Sequence, residues 1–233
     1  GERRESGDRD QEAAKQQASL KEYAKPEIAS QYWALNDCGT CLFIQAKGLS
    51  LQGKTDQAKK TCEIIISDYS FAQCYDPANS SFWKIAEGAK DLRTTMESGI
   101  DFEDYTSETL LRKGWESLSG NNIPHALIYA QKCITLYAAE ADKQQASITA
   151  YAPKDQAFNY WALNDVGTAY FILGEAYMKN QEWKKSSESY QTIIDKYQFS
   201  QCWDPRGWFW KPAVATRGKI NKLNAEHGAE MGK

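Results

Sequence analysis

The chain has 233 residues, 42% of them hydrophobic and 25% charged, with a formal net charge of −3. That apolar content suffices for a folded core and excludes an intrinsically disordered chain. The slightly acidic balance argues against the basic face that nucleic-acid binding needs, and no apolar run approaches the roughly 20 residues of a membrane span.

The chain opens on Gly1 rather than Met. That start reads either as a removed leader or as a scar left by expression, and together with the polar N-terminal stretch it gives an extracytoplasmic bacterial location as the expectation. Residues 1–12 are almost wholly polar and read as a disordered tail. After them the chain contains itself twice: residues 15–77 and 143–205 align without a gap at an offset of 128. Lys15-Gln16-Gln17-Ala18-Ser19 returns as Lys143-Gln144-Gln145-Ala146-Ser147, and Tyr32-Trp33-Ala34-Leu35-Asn36-Asp37 returns as Tyr160-Trp161-Ala162-Leu163-Asn164-Asp165. Gln73-Cys74-Tyr75-Asp76-Pro77 returns as Gln201-Cys202-Trp203-Asp204-Pro205, and one deletion later Phe82-Trp83-Lys84 returns as Phe209-Trp210-Lys211. A residue kept in both copies is needed by the unit, so the duplication is an internal control.

Taken in chain order, the apolar spacing predicts helices near 29–52 and 55–68, with Gly53 in the turn and Thr55 as N-cap. An aromatic connector follows over 69–84, then a helix near 85–97. A middle hairpin, 105–138, turns at Gly120-Asn121-Asn122-Ile123-Pro124, where Pro124 sits in a first turn and its missing N–H costs nothing. Its second helix carries Ala126, Leu127, Ala130, Cys133, Ile134 and Tyr137, and the periodicity runs on to about Tyr151 before Pro153 stops it. The second copy repeats the pattern: apolar positions from Trp161 to Tyr177, a short polar link, then Trp183 to Tyr197, the connector 197–211 and a helix near 212–225. Two amphipathic helices on a short link make an antiparallel hairpin. No period-two segment is strong enough to predict a strand, so the fold class is all-α, an α-solenoid of two homologous super-repeats. The domain reading is residues 13–98 for the first super-repeat, truncated at its N-terminus, and 99–233 for the second, together one continuous helical domain.

These hairpins resemble tetratricopeptide repeats. Tyr170, Leu173-Gly174, Tyr177 and Ser186 follow the family pattern in order, with Tyr190 and Ile193 at the next steps. Gly114, Ala126, Ala130 and Cys133 fall at the small positions of the middle hairpin, where Lys113 departs from the pattern. Ala46, Leu49, Ala58 and Ile65 fit in the first, where Gln45 and Cys62 depart. The resemblance covers about 100 residues and implies helix pairs whose small residues permit close approach. It also implies a non-catalytic scaffold whose concave groove takes a protein or peptide partner. The Asp-Pro and Phe-Trp-Lys ending is similar to bacterial helical-repeat proteins catalogued as β-glucanase precursors, and no activity is carried over from them.

Several constellations invite chemistry. Cys38-Gly39-Thr40-Cys41 has redox or half-metal-site spacing, but the second copy holds Val166-Gly167-Thr168-Ala169 there, so the slot reads as helix packing. Cys74 and Cys202 read as equivalent thiols, free or partly paired. Only two histidines occur, His125 near a helix start and His227 in a polar tail, with no ligand cluster, so no metal and no cofactor are expected. No phosphate loop or nucleophile elbow appears, and the expectation is no enzyme and no catalytic residue. A glycosidase-like pair, Asp37 with Asp165, would need carboxyls about 5–10 Å apart.

The ligand-groove candidates are Asn36, Asp37, Asn164 and Asp165 beside Trp33 and Trp161. Their competing role is to hold the connector backbone. The aromatic-surface candidates are Trp203, Trp208 and Trp210, which also carry the carbohydrate-binding or carbohydrate-active alternative. Of the aromatics, those kept in both copies read as core and Trp208 as exposed. Self-association through the aromatic C-terminal part is a third expectation.

Overall fold

The computed structural model describes residues 2–77, 80–204 and 206–232. The chain divides into two compact units, residues 1–101 and 102–233.

In the first unit, α1 (Glu2–Ser19) leads through a 3-10 turn (Ala29–Tyr32) into α2 (Trp33–Leu51), α3 (Thr55–Asp68), a β-hairpin of β1 (Gln73–Asp76) and β2 (Ser81–Lys84), and α4 (Ile85–Ser98). The second unit begins with α5 (Ser107–Ser119) and α6 (Ile123–Ala146). It then repeats the order: a 3-10 turn (Ala157–Tyr160), α7 (Trp161–Lys179), α8 (Trp183–Lys196), β3 (Cys202–Asp204), β4 (Trp208–Trp210) and α9 (Pro212–Met231). Within each unit every helix packs on its chain neighbour, so each unit is a short α-solenoid stack. At the 128-residue offset α1 matches the C-terminal end of α6, and α5 matches no residue of the first unit.

Paired volumes explain why the hairpins close. Gly174 on α7 faces Tyr190 on α8, and a Cβ there would lie 2.2 Å from the tyrosine ring. Ser186, fully buried, donates its hydroxyl to the Gly174 carbonyl at 2.8 Å. In the first unit Ala46 and Cys62 occupy the Gly174 and Tyr190 positions and both are fully buried. A methyl gained on one helix is matched by volume lost on the other, which keeps the gap filled. Gly39 and Gly167 let the connector touch the helix: a Cβ would lie 2.6 Å from Ala72 or 2.5 Å from Ser200.

Four local expectations are corrected. The segment expected as a disordered tail belongs to α1, which Ala13 pins by burying fully; Gly1 and the side chains of residues 2–7 lie outside the described residues. Thr55 is the first helical residue, and Lys54 is the cap, with no side-chain cap bond. Helix α6 ends at Ala146, where Ser147 turns its hydroxyl back to the Gln144 carbonyl at 2.7 Å. Both connectors contain antiparallel ribbons, with Gln73 opposite Lys84 and Cys202 opposite Trp210. Strands of three or four residues are too short to print a period-two signal. Pro205, the second copy's member of the Asp-Pro pair, lies outside the described residues.

Candidate functional site

Twin polar fasteners build the frame around the candidate residues. Asn36 donates its amide to the Ala29 carbonyl at 2.9 Å and accepts from the Gln73 N–H at 2.8 Å. Asn164 makes the same pair with Ala157 at 2.8 Å and Gln201 at 2.7 Å. One side chain therefore ties a 3-10 turn to the start of a β-hairpin. Gln16 and Gln144 accept from the first-turn N–H groups of Leu35 and Leu163 at 3.0 and 2.9 Å. Gln17 and Gln145 accept from Phe71 and Phe199 at 3.1 and 3.2 Å. Helix starts and connectors carry backbone donors with no intrahelical partner, and these amides satisfy them. The recurrence of the Gln-Gln pair and of the asparagine is accounted for by this network. Asn36 and Asn164, expected in the ligand groove, are corrected to scaffold fasteners because both ends of each amide are engaged.

The acids beside them diverge. Asp37 is exposed on α2. Asp165, its equivalent on α7, accepts the hydroxyl of Ser107 from the first turn of α5. Burial pushes the Asp165 carboxyl up to about 6; the Ser107 hydrogen bond opposes the rise and the Glu108 carboxylate adds to it. The two acids belong to different units, each with its own neighbours.

Trp33 and Trp161 are each the first residue of their helix, and they remain 50% and 43% exposed. Their recurrence does not make them core. Trp161 meets Tyr137 edge-to-face at 5.4 Å, and Tyr137 donates its hydroxyl to the Tyr105 carbonyl at 2.9 Å. The tryptophans at the Phe-Trp-Lys positions are partly buried instead: Trp83 lies on Phe43 at 5.0 Å and Trp210 on Phe171 at 4.9 Å. Trp210, expected as a surface residue, is thus half-buried packing.

Trp203 and Trp208 are exposed, at 44% and 48%. Trp203 joins Phe158 and Phe209 in a ring cluster with centroids 5.1–6.1 Å apart, and Arg206 lies over Trp208 at 5.8 Å. The first unit holds Ser30 and Ser81 where the second has Phe158 and Trp208, so this patch is peculiar to the second unit.

The sequence reading missed one constellation. His227, expected in a tail, lies in α9 and stacks flat on Trp183 at 3.9 Å, both side chains reaching Glu230. With Lys219 and Lys222 they border a shallow cleft between the ends of α7, α8 and α9. Residue order carried no trace of it, because Thr55 stands at the Trp183 position of the first copy and only the length of α9 brings His227 to the indole.

The six cysteines are free thiols. Cys202 is buried against Thr168 and the Asn164 carbonyl, and burial pushes its thiol up to about 12. Cys38 sits beside Asp10 at 3.9 Å, and burial and that carboxylate both raise its thiol. Among the described residues no three His, Cys, Asp or Glu side chains gather as metal ligands, and no helix is long and apolar enough to cross a membrane.

Two stretches, residues 40–71 and 168–200, match the family model described as tetratricopeptide repeat. They span most of the α2–α3 hairpin and of the α7–α8 hairpin, the two places where the small-against-large packing was found. Neither a curated protein nor a solved structure matches the chain. Repeats of this family generally mediate protein–protein interaction and are generally not catalytic. With helical hairpins, paired small and large residues and the family match all falling at the same offset of 128, this chain carries two tetratricopeptide repeats.

Proposed function

We propose that the protein is a non-catalytic scaffold whose two units each bind a segment of a partner protein through an exposed first-turn tryptophan, Trp33 in the first and Trp161 in the second. The observation carrying this reading is the retention of Trp33 and Trp161 in both copies while each stays about half exposed. Packing explains the retention of Ile65 and Ile193, which are fully buried, but it leaves an exposed indole unexplained. Tryptophan is the side chain that most often anchors a protein interface, with broad contact area and a polar N–H.

The test is selection of peptides from a random display library on the whole protein, followed by titration on Trp33→Ala, Trp161→Ala and the double variant. Selected peptides are expected to bind the double variant about tenfold or more weakly, the loss of about 1.4 kcal/mol or more that an aromatic anchor carries. Equal binding to a double variant with unchanged helical circular dichroism would sink the proposal.

A second reading, carbohydrate binding, is favoured by one observation: the ring patch of Phe158, Trp203 and Phe209 with 63%-exposed Phe158 at its edge. Flat exposed rings accept the apolar face of a sugar. Glycan titrations followed by tryptophan fluorescence, with Trp203→Ala as control, decide it; no spectral change with any glycan removes it.

A further inference from the structure

We propose that the outer stripe of α2 is a docking site for an amphipathic helix of a partner protein, lying parallel to α2 with a small residue over Ile44 and a hydroxyl donor over Asp37. The stripe is Asp37, Cys41, Ile44, Gly48 and Leu51, at steps of three and four along one face. Ile44 is 64% and Leu51 88% exposed, Cys41 and Asp37 are exposed, and a Cβ on Gly48 would meet nothing within 4 Å. An apolar helix face left open in this way marks an interaction surface.

The second unit shows what covers the same face. The equivalents on α7 are Asp165, Ala169, Ile172, Ala176 and Lys179, and Ala169, Ile172 and Ala176 are fully buried. The isoleucine is the same residue type at the same helical position, exposed in one unit and sealed in the other. What seals it is α5, held along its length at three points. Ser107 donates to Asp165, Gly114 brings its backbone against Ile172 (a Cβ there would lie 3.3 Å from Ile172 Cδ1), and Lys179 donates to the Leu118 carbonyl at 2.9 Å. The three contacts advance together along both helices, so α5 runs parallel to α7. The first unit has no helix in the α5 position among the described residues. Where Lys179 ties the end of α5, the first unit has Leu51, so the end of the occupant's helix is held by apolar contact rather than by a carbonyl bond.

The recognition chemistry follows from that template. Ile44 and Leu51 leave water only against an apolar stripe, a small residue is required for the backbone to approach Ile44, and a first-turn serine or threonine meets Asp37 as Ser107 meets Asp165. Cys41 stands where the second unit has buried Ala169, so a docked helix would also shield its thiol. This deepens the scaffold reading by naming the chemistry of one partner. It rests on a different surface from the tryptophans, since Trp161 stays 43% exposed with α5 in place.

The experiment uses the whole protein and a fluorescent peptide carrying residues 103–121 of this same chain, in linear and hydrocarbon-stapled form. Expected are saturable anisotropy, slower modification of Cys41 by a thiol reagent as the peptide saturates, and about tenfold or greater weakening in Ile44→Glu. Ile44 is exposed, so that variant keeps its fold, which far-ultraviolet circular dichroism verifies. The Trp33→Ala/Trp161→Ala variant is expected to bind this peptide as the unaltered protein does, so failure of the tryptophan reading and failure of this one are separable. Absence of saturation by both peptide forms, or unaltered binding by Ile44→Glu, would overturn the proposal. Protection of Cys41 that grows with protein concentration alone and vanishes in Ile44→Glu would assign the face to a second copy of the chain and overturn the partner-helix assignment.

Discussion

Helices α2 and α7 share the same first five residues, Trp-Ala-Leu-Asn-Asp, and the same isoleucine eleven residues after the tryptophan, yet they live in different surroundings. On α7 that isoleucine is sealed, the aspartate is half-buried, and α5 lies across both; on α2 the same residues face water. The inward faces do not differ in this way. Leu35 and Leu163 are both fully buried, and the asparagines make the same two hydrogen bonds to within 0.1 Å. The lesson is that the unit is built from its inner face and fasteners, while the outer stripe takes its character from whatever packs on it.

The sharpest way to break the comparison is a matched pair of truncations. Ile172→Ala is expected to destabilise the protein by about 3 kcal/mol through lost transfer energy and a residual cavity, whereas Ile44→Ala is expected to stay within about 0.5 kcal/mol. Denaturant unfolding of both variants reads the difference, and equal losses would mean that α2 is covered in solution.

Next come the fasteners. Asn164→Ala strands the Gln201 N–H and the Ala157 carbonyl inside the unit, an expected loss of about 2–3 kcal/mol. Asn36→Ala, less buried, is expected to cost about 1–2 kcal/mol by the same measurement. A loss of ligand binding without loss of stability in either would return the asparagines to a binding role.

Then the acids. The folded Asp165 carboxyl titrates at about 6, above the ordinary value of 3.8, so folding favours its protonated form. Its contribution to stability is complete below pH about 4 and is lost as pH rises through about 6. Asp165→Asn is expected to be the more stable by about 2 kcal/mol at neutral pH, with the gap closing near pH 4. Asp37→Asn, on the open face, is expected to show no such pH-dependent gap; unfolding curves at several pH values test both.

The smallest expected effect is a rate. Cys41, exposed, is expected to react with a thiol reagent in the native protein well before Cys62 and Cys133, which are buried and whose thiols burial raises, Cys62 to about 11. Mass spectrometry of partly modified protein gives the order, and simultaneous labelling would show that the core opens faster than the reaction.

Much of this was legible in residue order. The 3.6-residue period located the helical hairpins, because their inner faces bury in a regular rhythm. Gly174, Ser186 and Tyr190 marked the close helix pair, because a backbone contact leaves room for only one large side chain. Less legible were the connectors: β1 to β4 are short ribbons stabilised by cross-strand rings such as Tyr75–Phe82 at 5.3 Å, which leave no repeat to detect. The candidate site divided along the same line. Residue order picked out Asn36, Asn164, Trp33 and Trp161 because the duplication repeats them, but recurrence alone cannot separate a fastener from an anchor.

Periodicity and identity along one chain are enough to yield the helical repeat architecture, its offset of 128, and the set of residues each unit retains. Which of those residues face inward and which face outward was set by helix packing alone. The asparagines turned inward because unpaired backbone groups at a helix start and a connector demanded partners, and the tryptophans stayed outward because each unit is packed without them. The same isoleucine became core in one unit and surface in the other because burial belongs to the neighbouring helix, and no single residue encodes its neighbour.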